Sequence, residues 1–139
     1  MAKRCETFDH TADVGLAARA DTLAELYEAL AEGLAETICP RARARPRQSV
    51  EIAVEAEDRE ALAVDFLSEV LNAIQLDRFM VHECRAAGAD ETHVRAELIG
   101  EPFDPARHEI STEVKAVTYH GLSVAREGDS WIGTLILDL

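Results

Sequence analysis

The stretch TLAELYEALAEGLAETICP, residues 22–40, decides how the rest of the chain is read. Thr22 and Glu25 make the Thr-x-x-Glu pattern of a capping box: the hydroxyl accepts a first-turn N–H and the carboxylate reaches back. Leu23, Leu26, Tyr27, Leu30, Leu34 and Ile38 then recur at three- and four-residue steps, which lines them along one face of an α-helix. Pro40 biases the residue before it away from helical geometry, so the helix ends ahead of it. A helix with one apolar stripe must bury that stripe, and the flanking sequence shows against what.

Asp58 is a candidate N-cap for a second helix, whose apolar face is Leu62, Phe66, Leu67, Val70, Leu71 and Ile74. Asp65, Glu69 and Asn72 fall elsewhere on its circumference. Around these helices the period changes to two. Residues 3–8 read as a short strand, and residues 49–57 alternate Val50, Ile52 and Val54 with Glu51, Ala53 and Glu55. Residues 79–84 form a further strand, residues 87–90 a turn, and residues 92–99 an alternating strand that a Pro-containing connection at 100–105 interrupts. Residues 114–125 are β-branched and aromatic, Gly128-Asp129 supplies a turn, and residues 131–139 form a last apolar strand. Long helices early and antiparallel strands late predict an α+β fold, a mostly antiparallel sheet with two main amphipathic helices packed on one face. The regular βαβ alternation of a doubly wound fold is absent.

The chain has 139 residues, 14 Lys and Arg against 27 Asp and Glu, and a formal charge of −13, with 47% hydrophobic residues. Residues 1–139 are expected to form one domain, long enough to bury a core without disulfides or a structural zinc. The acidity works against a broad nucleic-acid-binding face and leaves room only for a local basic patch. Cys5, Cys39 and Cys84 are odd in number and widely spaced, which fits a reducing compartment. The first residues carry no apolar run of the kind a secretory signal has, and no segment approaches the roughly 20 apolar residues of a membrane span. A soluble, cytoplasmic protein is expected.

Residues 41–47 place four arginines at alternate positions. With no aromatic stacking partner in the run, a solvated connecting loop is the favoured reading. Contact with RNA or with an acidic partner surface stays open beside it.

No Walker A sequence, G-x-G-x-x-G, H-E-x-x-H, G-x-S-x-G or EF-hand loop is present. Three places draw attention instead. In Asp9-His10-Thr11-Ala12-Asp13, an extended backbone points Asp9, Thr11 and Asp13 to one face, where two carboxylates and a hydroxyl suit a hard cation. The commoner use of such residues is to cap or close a turn beside Gly15, and spacing alone favours it. Asp138 interrupts the apolar ending Leu135-Ile136-Leu137, and a carboxylate there wants a partner. With the α-carboxylate of Leu139 beside it, it could meet Asp13 across the strand ends and share a divalent cation, or it could face water at a frayed edge. Lys115, on a β-forming stretch, is either an edge guard against aggregation or a cation for phosphate or a partner carboxylate. Tyr119 and His120 follow it without a clear role.

Taken together, these motifs resemble a known family. Asp9-His10-Thr11-Ala12-Asp13-Val14-Gly15-Leu16 resembles the N-terminal signature of archease. Residues 113–120, Glu-Val-Lys-Ala-Val-Thr-Tyr-His, resemble its second signature, and Ile136-Leu137-Asp138-Leu139 its terminal strand. Residues 62–71 are similar to its second helix, with Phe66 where tryptophan is common. The arginine-rich loop falls in a variable region and carries little of the match. The resemblance implies a small cytoplasmic α+β domain that activates an RtcB-type RNA ligase in tRNA splicing and RNA repair, promoting its guanylylation and multiple turnover. It implies a divalent cation, calcium by resemblance with Mg²⁺ or Mn²⁺ as alternatives in the cell, on Asp13, Asp138 and Leu139. It implies a role for Lys115 in activation, no catalytic residues, and contact with RNA only through the ligase. A metal-dependent phosphoesterase and a general chaperone or protein-binding module are the competing readings. The first lacks a recognisable general base, and the second leaves the acidic pair unexplained.

Overall fold

The structure is a computed structural model that describes residues 3–10 and 13–139, with backbone alone at residues 8–10. The first long helix is α1, Leu23–Ile38, and its start follows from Thr22. The Thr22 hydroxyl oxygen accepts the Glu25 N–H at 3.1 Å and donates to Glu25 Oε1 at 3.0 Å, so both halves of the box meet on that hydroxyl. The second helix is α2, Arg59–Gln75, capped by Asp58, whose carboxylate accepts the Ala61 N–H at 2.8 Å. Every residue assigned to the two apolar stripes is buried. Tyr27 and Phe66 join the helices edge to face, with ring centroids 5.3 Å apart.

The strands are β1 (Arg4–His10), β2 (Asp13–Ala20), β3 (Gln48–Glu55), β4 (Phe79–Ala89), β5 (His93–Pro102), β6 (Ala116–Val117), β7 (Ser123–Glu127) and β8 (Ser130–Asp138). The fold is α+β, as expected, but the strands divide into two antiparallel sheets. One runs β1-β2-β8-β6 with β7 also on β8; the other runs β3-β5-β4. Alternation explains the packing. Leu16, Ala18 and Ala20 of β2 lie opposite Leu135, Gly133 and Trp131 of β8, and this face meets α1. The outward face of the same strands holds Asp13, Ala17, Arg19, Ile132, Thr134 and Asp138. Both helices also pack on strands of the three-stranded sheet, which ties the two sheets into one core.

Three local expectations need correction. β4 does not turn at residues 87–90; it continues to Ala89 through irregularities between Val81 and Glu83 and between Ala86 and Gly88. Such bulges absorb an extra residue and bend the strand without ending it. The reversal comes later, where Asp90 Oδ1 accepts the N–H groups of Thr92 and His93 at 2.9 and 2.8 Å. Nor does β5 stop at Gly100; it runs to Pro102. Pairing with β3 ends at Gln48–Gly100, so the missing N–H of Pro102 lies beyond that ladder. Finally, residues 114–125 are not one strand. Thr118 takes over from the ladder after β6, its hydroxyl donating to the Ile136 carbonyl at 3.1 Å and accepting the His120 N–H at 3.2 Å. The chain then turns through Gly121, at φ 67°, before β7.

Candidate functional site: an acidic end of the larger sheet

Asp13 opens β2 and Asp138 closes β8, and the antiparallel register sets them directly opposite one another. Directly opposed residues project from the same face, here the face turned away from the helices. Both side chains are half-buried. On the other side of Asp138 lies Ala116, and the Lys115 N–H donates to the Asp138 carbonyl at 2.7 Å. Lys115 itself is exposed, and Leu139 is half-buried beside it. The fold therefore gathers Asp13, Asp138, Leu139 and Lys115 at one end of the five-stranded sheet. The backbone of His10 lies opposite Asp13. The proposed common face of Asp9, Thr11 and Asp13 involves side chains outside the described residues. Tyr119 and His120 stand exposed on the adjoining turn, where Gly121 packs on Ile136.

Two carboxylates opposed across a ladder repel unless something positive lies between or beside them. Their hard oxygen donors suit calcium, magnesium or manganese, not a soft metal. Side chains supply only part of the six to eight oxygens that calcium takes. Among the described residues, no three His, Cys, Asp or Glu side chains cluster to hold one ion. Two carboxylates do not make a closed structural cage; a hard cation there would need further oxygen donors.

Two polar clusters escaped sequence reasoning. Glu101, only 2% exposed, accepts from Arg107 Nη1 and Nη2 at 2.8 and 2.5 Å and from the Arg45 N–H at 2.8 Å. His108 Nδ1 accepts the Asp104 N–H at 2.8 Å, which leaves Nε2 to donate to Glu101 at 3.0 Å. The Arg107 bonds, with help from Arg45 and His108, hold the Glu101 carboxyl well below the usual carboxylate range against the opposing effect of burial. In the second cluster, Glu28 and Glu32 of α1 accept the Ala86 and Cys84 N–H groups at 2.7 and 3.0 Å. They thus cover the outer edge of β4, and Lys3 lies 3.1 Å from each. Burial works to lower the Lys3 pKa, but Glu32 and Glu28 outweigh it and raise it. Neither cluster leaves a periodic trace: Glu101 looked like loop, and Glu28 and Glu32 looked like the wet side of a helix. The one available signal was two glutamates one helical turn apart on a helix that otherwise packs inward.

A cleft of about 660 Å³ lies elsewhere, on the smaller sheet around Ala53, Ala87, Ala89, His93 and Arg95. No helix among the described residues is long and apolar enough to cross a membrane.

Comparison with known proteins adds a family. The model of the archease protein family matches residues 5–139. The chain is 33% identical over 141 residues to the Pyrococcus furiosus protein named archease, covering 99% of each chain. It is 34% identical over 137 residues to the archease of Methanopyrus kandleri, covering 96% of this chain and 98% of that one. Among solved structures, Methanobacterium thermoautotrophicum protein 1598 superposes with a TM-score of 0.80 at 28% identity, covering 97% and 98% of the two chains. An archease of Thermotoga maritima, described as a possible chaperone, shares the fold with a TM-score of 0.61 at 20% identity over 96% of each chain.

Proposed function

The chain belongs to the archease family, and from that premise we propose that it is a non-catalytic activator of a GTP-dependent RtcB-type RNA ligase. It works through the acidic end of its larger sheet. The observation that carries this reading is the direct opposition of Asp13 and Asp138 across β2 and β8. The two carboxylates, with the oxygens of Leu139, hold a divalent cation, calcium by family resemblance with Mg²⁺ or Mn²⁺ as alternatives. That cation supplies a concentrated positive charge with positions open to phosphate oxygens.

The chain's own residues do the rest. The hydrogen-bonded ladder fixes the spacing of the two acids, so the site is organised before a partner arrives. Lys115, exposed beside Asp138, offers an ammonium to a phosphate or to a partner carboxylate. A formal charge of −13 favours docking on a basic, RNA-binding partner. Holding reactants in place is a large source of rate, so a small positioning domain can matter without chemistry of its own. The ligase brings the RNA to be joined, and the setting is the cytoplasm.

The test mixes ligase, GTP and Mn²⁺ or Mg²⁺ with and without this protein and follows covalent ligase–GMP. Faster guanylylation, lost in Asp13→Ala and Asp138→Ala and weakened in Lys115→Ala while the fold persists, supports the reading. Unchanged guanylylation removes it. Hydrolysis of RNA or nucleotide by this chain alone would make it a phosphoesterase instead.

A further inference from the structure

The arginine run has a conformation that a merely solvated connection does not need. Its backbone is held along most of its length. The Arg43 N–H donates to the Pro40 carbonyl at 3.1 Å, and the Ala44 carbonyl accepts from His82 Nδ1 at 2.8 Å. The Arg45 N–H reaches buried Glu101 at 2.8 Å. The Arg47 N–H donates to the carbonyls of Arg45 and Gly100 at 2.9 and 3.1 Å, closing a tight turn around Pro46. Ala44 is buried and extended, so its neighbours Arg43 and Arg45 are turned outward.

The charges then sort themselves. Arg41 is engaged by Glu32 and Glu36, and Arg107 by Glu101 and Asp104. Arg43, Arg45 and Arg47 are exposed and form no ion pair among the described residues. An acidic protein thus presents three uncompensated guanidinium groups on one pinned segment. Beyond the run, an aromatic ring is linked to the run's anchor Glu101 through His108. Phe103 packs on His108, the partner of Glu101, at 5.9 Å between ring centroids, and exposed Arg78 lies 4.5 Å over the Phe103 ring. Arg78 has φ 56°, a left-handed conformation that a residue with a Cβ rarely adopts, and its carbonyl accepts the Phe103 N–H at 2.7 Å. A guanidinium held over an aromatic ring can in turn meet a nucleic-acid base on its outer side.

We infer that Arg43, Arg45, Arg47 and Arg78 form a binding face for the phosphates of single-stranded RNA. Guanidinium groups pair with phosphate oxygens in two-point geometry, and the stacked Arg78 favours a polyanion with bases over an acidic polypeptide. The choice of RNA also rests on the ligase-activator reading, which places this chain where RNA ends are joined.

The experiment needs no ligase. A labelled single-stranded RNA of about twelve nucleotides is titrated with the full chain by fluorescence anisotropy across a range of KCl. Neutralising three or four phosphates predicts a log–log salt slope of about −2 to −3, so affinity falls roughly 20- to 50-fold between about 50 and 200 mM. The triple variant Arg43→Gln/Arg45→Gln/Arg47→Gln keeps every backbone bond of the loop, and its slope should flatten to about −0.7 with unchanged thermal stability. Arg78→Gln should weaken binding on its own. The control Arg85→Gln/Arg95→Gln/Arg126→Gln removes as much charge elsewhere and should keep the wild-type slope. Absent binding at low salt, equal slopes in the two triple variants, or competition by polyglutamate as effective as by RNA would each overturn the proposal. RNA binding with no effect on guanylylation would overturn the ligase reading and leave this face standing.

Discussion

Replacing Glu101 with glutamine keeps the side chain's shape and removes its charge and half its acceptor capacity. In the native chain Oε2 accepts from the Arg45 N–H at 2.8 Å, Arg107 Nη1 at 2.8 Å and His108 Nε2 at 3.0 Å, while Oε1 accepts from Arg107 Nη2 at 2.5 Å. A glutamine with its oxygen on the Oε2 side sets an NH₂ group against Nη2, donor against donor; flipped, it faces three donors. The cheaper arrangement still leaves a half-buried guanidinium beside a buried neutral amide. Removing one partner of a buried ion pair costs about 3–5 kcal/mol. Arg107 keeps a second carboxylate, Asp104, at 3.4 Å, which places this loss near the lower end, about 3 kcal/mol. For a chain of this length that lowers the melting temperature by about 12 °C.

The pH dependence has a definite sign. Because the folded pKa of Glu101 is depressed, its stabilisation is complete above the unfolded value of about 4.3 and is lost as pH falls toward the folded one. Glu101→Gln has no such group to lose. The gap between the two proteins should therefore be widest near neutrality and narrow in acid. Thermal unfolding followed by circular dichroism at about pH 7 and about pH 3.5 reads both quantities. A gap below about 1 kcal/mol at neutrality, or one of the same width in acid, would refute the reasoning.

Two further perturbations follow from close packing and burial. A Cβ added at Gly100 would stand 1.9 Å from the Met80 carbonyl oxygen and 3.1 Å from Val81 Cα, both backbone atoms beside the irregular start of β4. Gly100→Ala should cost about 3 kcal/mol or more, measurable by denaturant unfolding, and a variant as stable as the parent would contradict the strand pairing. Burial pushes the Cys5 thiol up to about 11 and the Cys84 thiol up to about 12, and raises Cys39 as well. Native protein near neutral pH should thus react slowly with a thiol-specific disulfide reagent, whereas guanidinium should release all three free thiols. Rapid modification of Cys84 in the folded chain would show that the core opens there.

The sequence reveals most where a local rule has no competitor. Thr22 and Pro40 bracket α1, and Asp58 starts α2, because capping chemistry and proline geometry act within a few residues. Asp138 stands out as a charge in an apolar ending, and the ladder sets Asp13 opposite it. What sequence does not disclose depends on distant partners. Residues 100–105 look like a connection because Gly and Pro flank Glu101, yet Arg45 and Arg107 make that glutamate a buried anchor. Residues 87–90 look like a turn because bulged strands and turns draw on the same small residues. The single expected sheet becomes two because strand order is set by helix packing across the molecule, and alternation along any one strand carries no record of it.

The account rests on Asp13 and Asp138 acting together on one cation. Isothermal titration of Ca²⁺ into the metal-free chain, without ligase, examines this directly, with Mn²⁺ and Mg²⁺ as parallel titrants. The account predicts one ion per chain, with affinity falling at least about tenfold in Asp13→Asn and again in Asp138→Asn, since each removes a charged ligand. Absent binding of all three ions to the parent chain, or binding that either asparagine variant leaves unchanged, would contradict it.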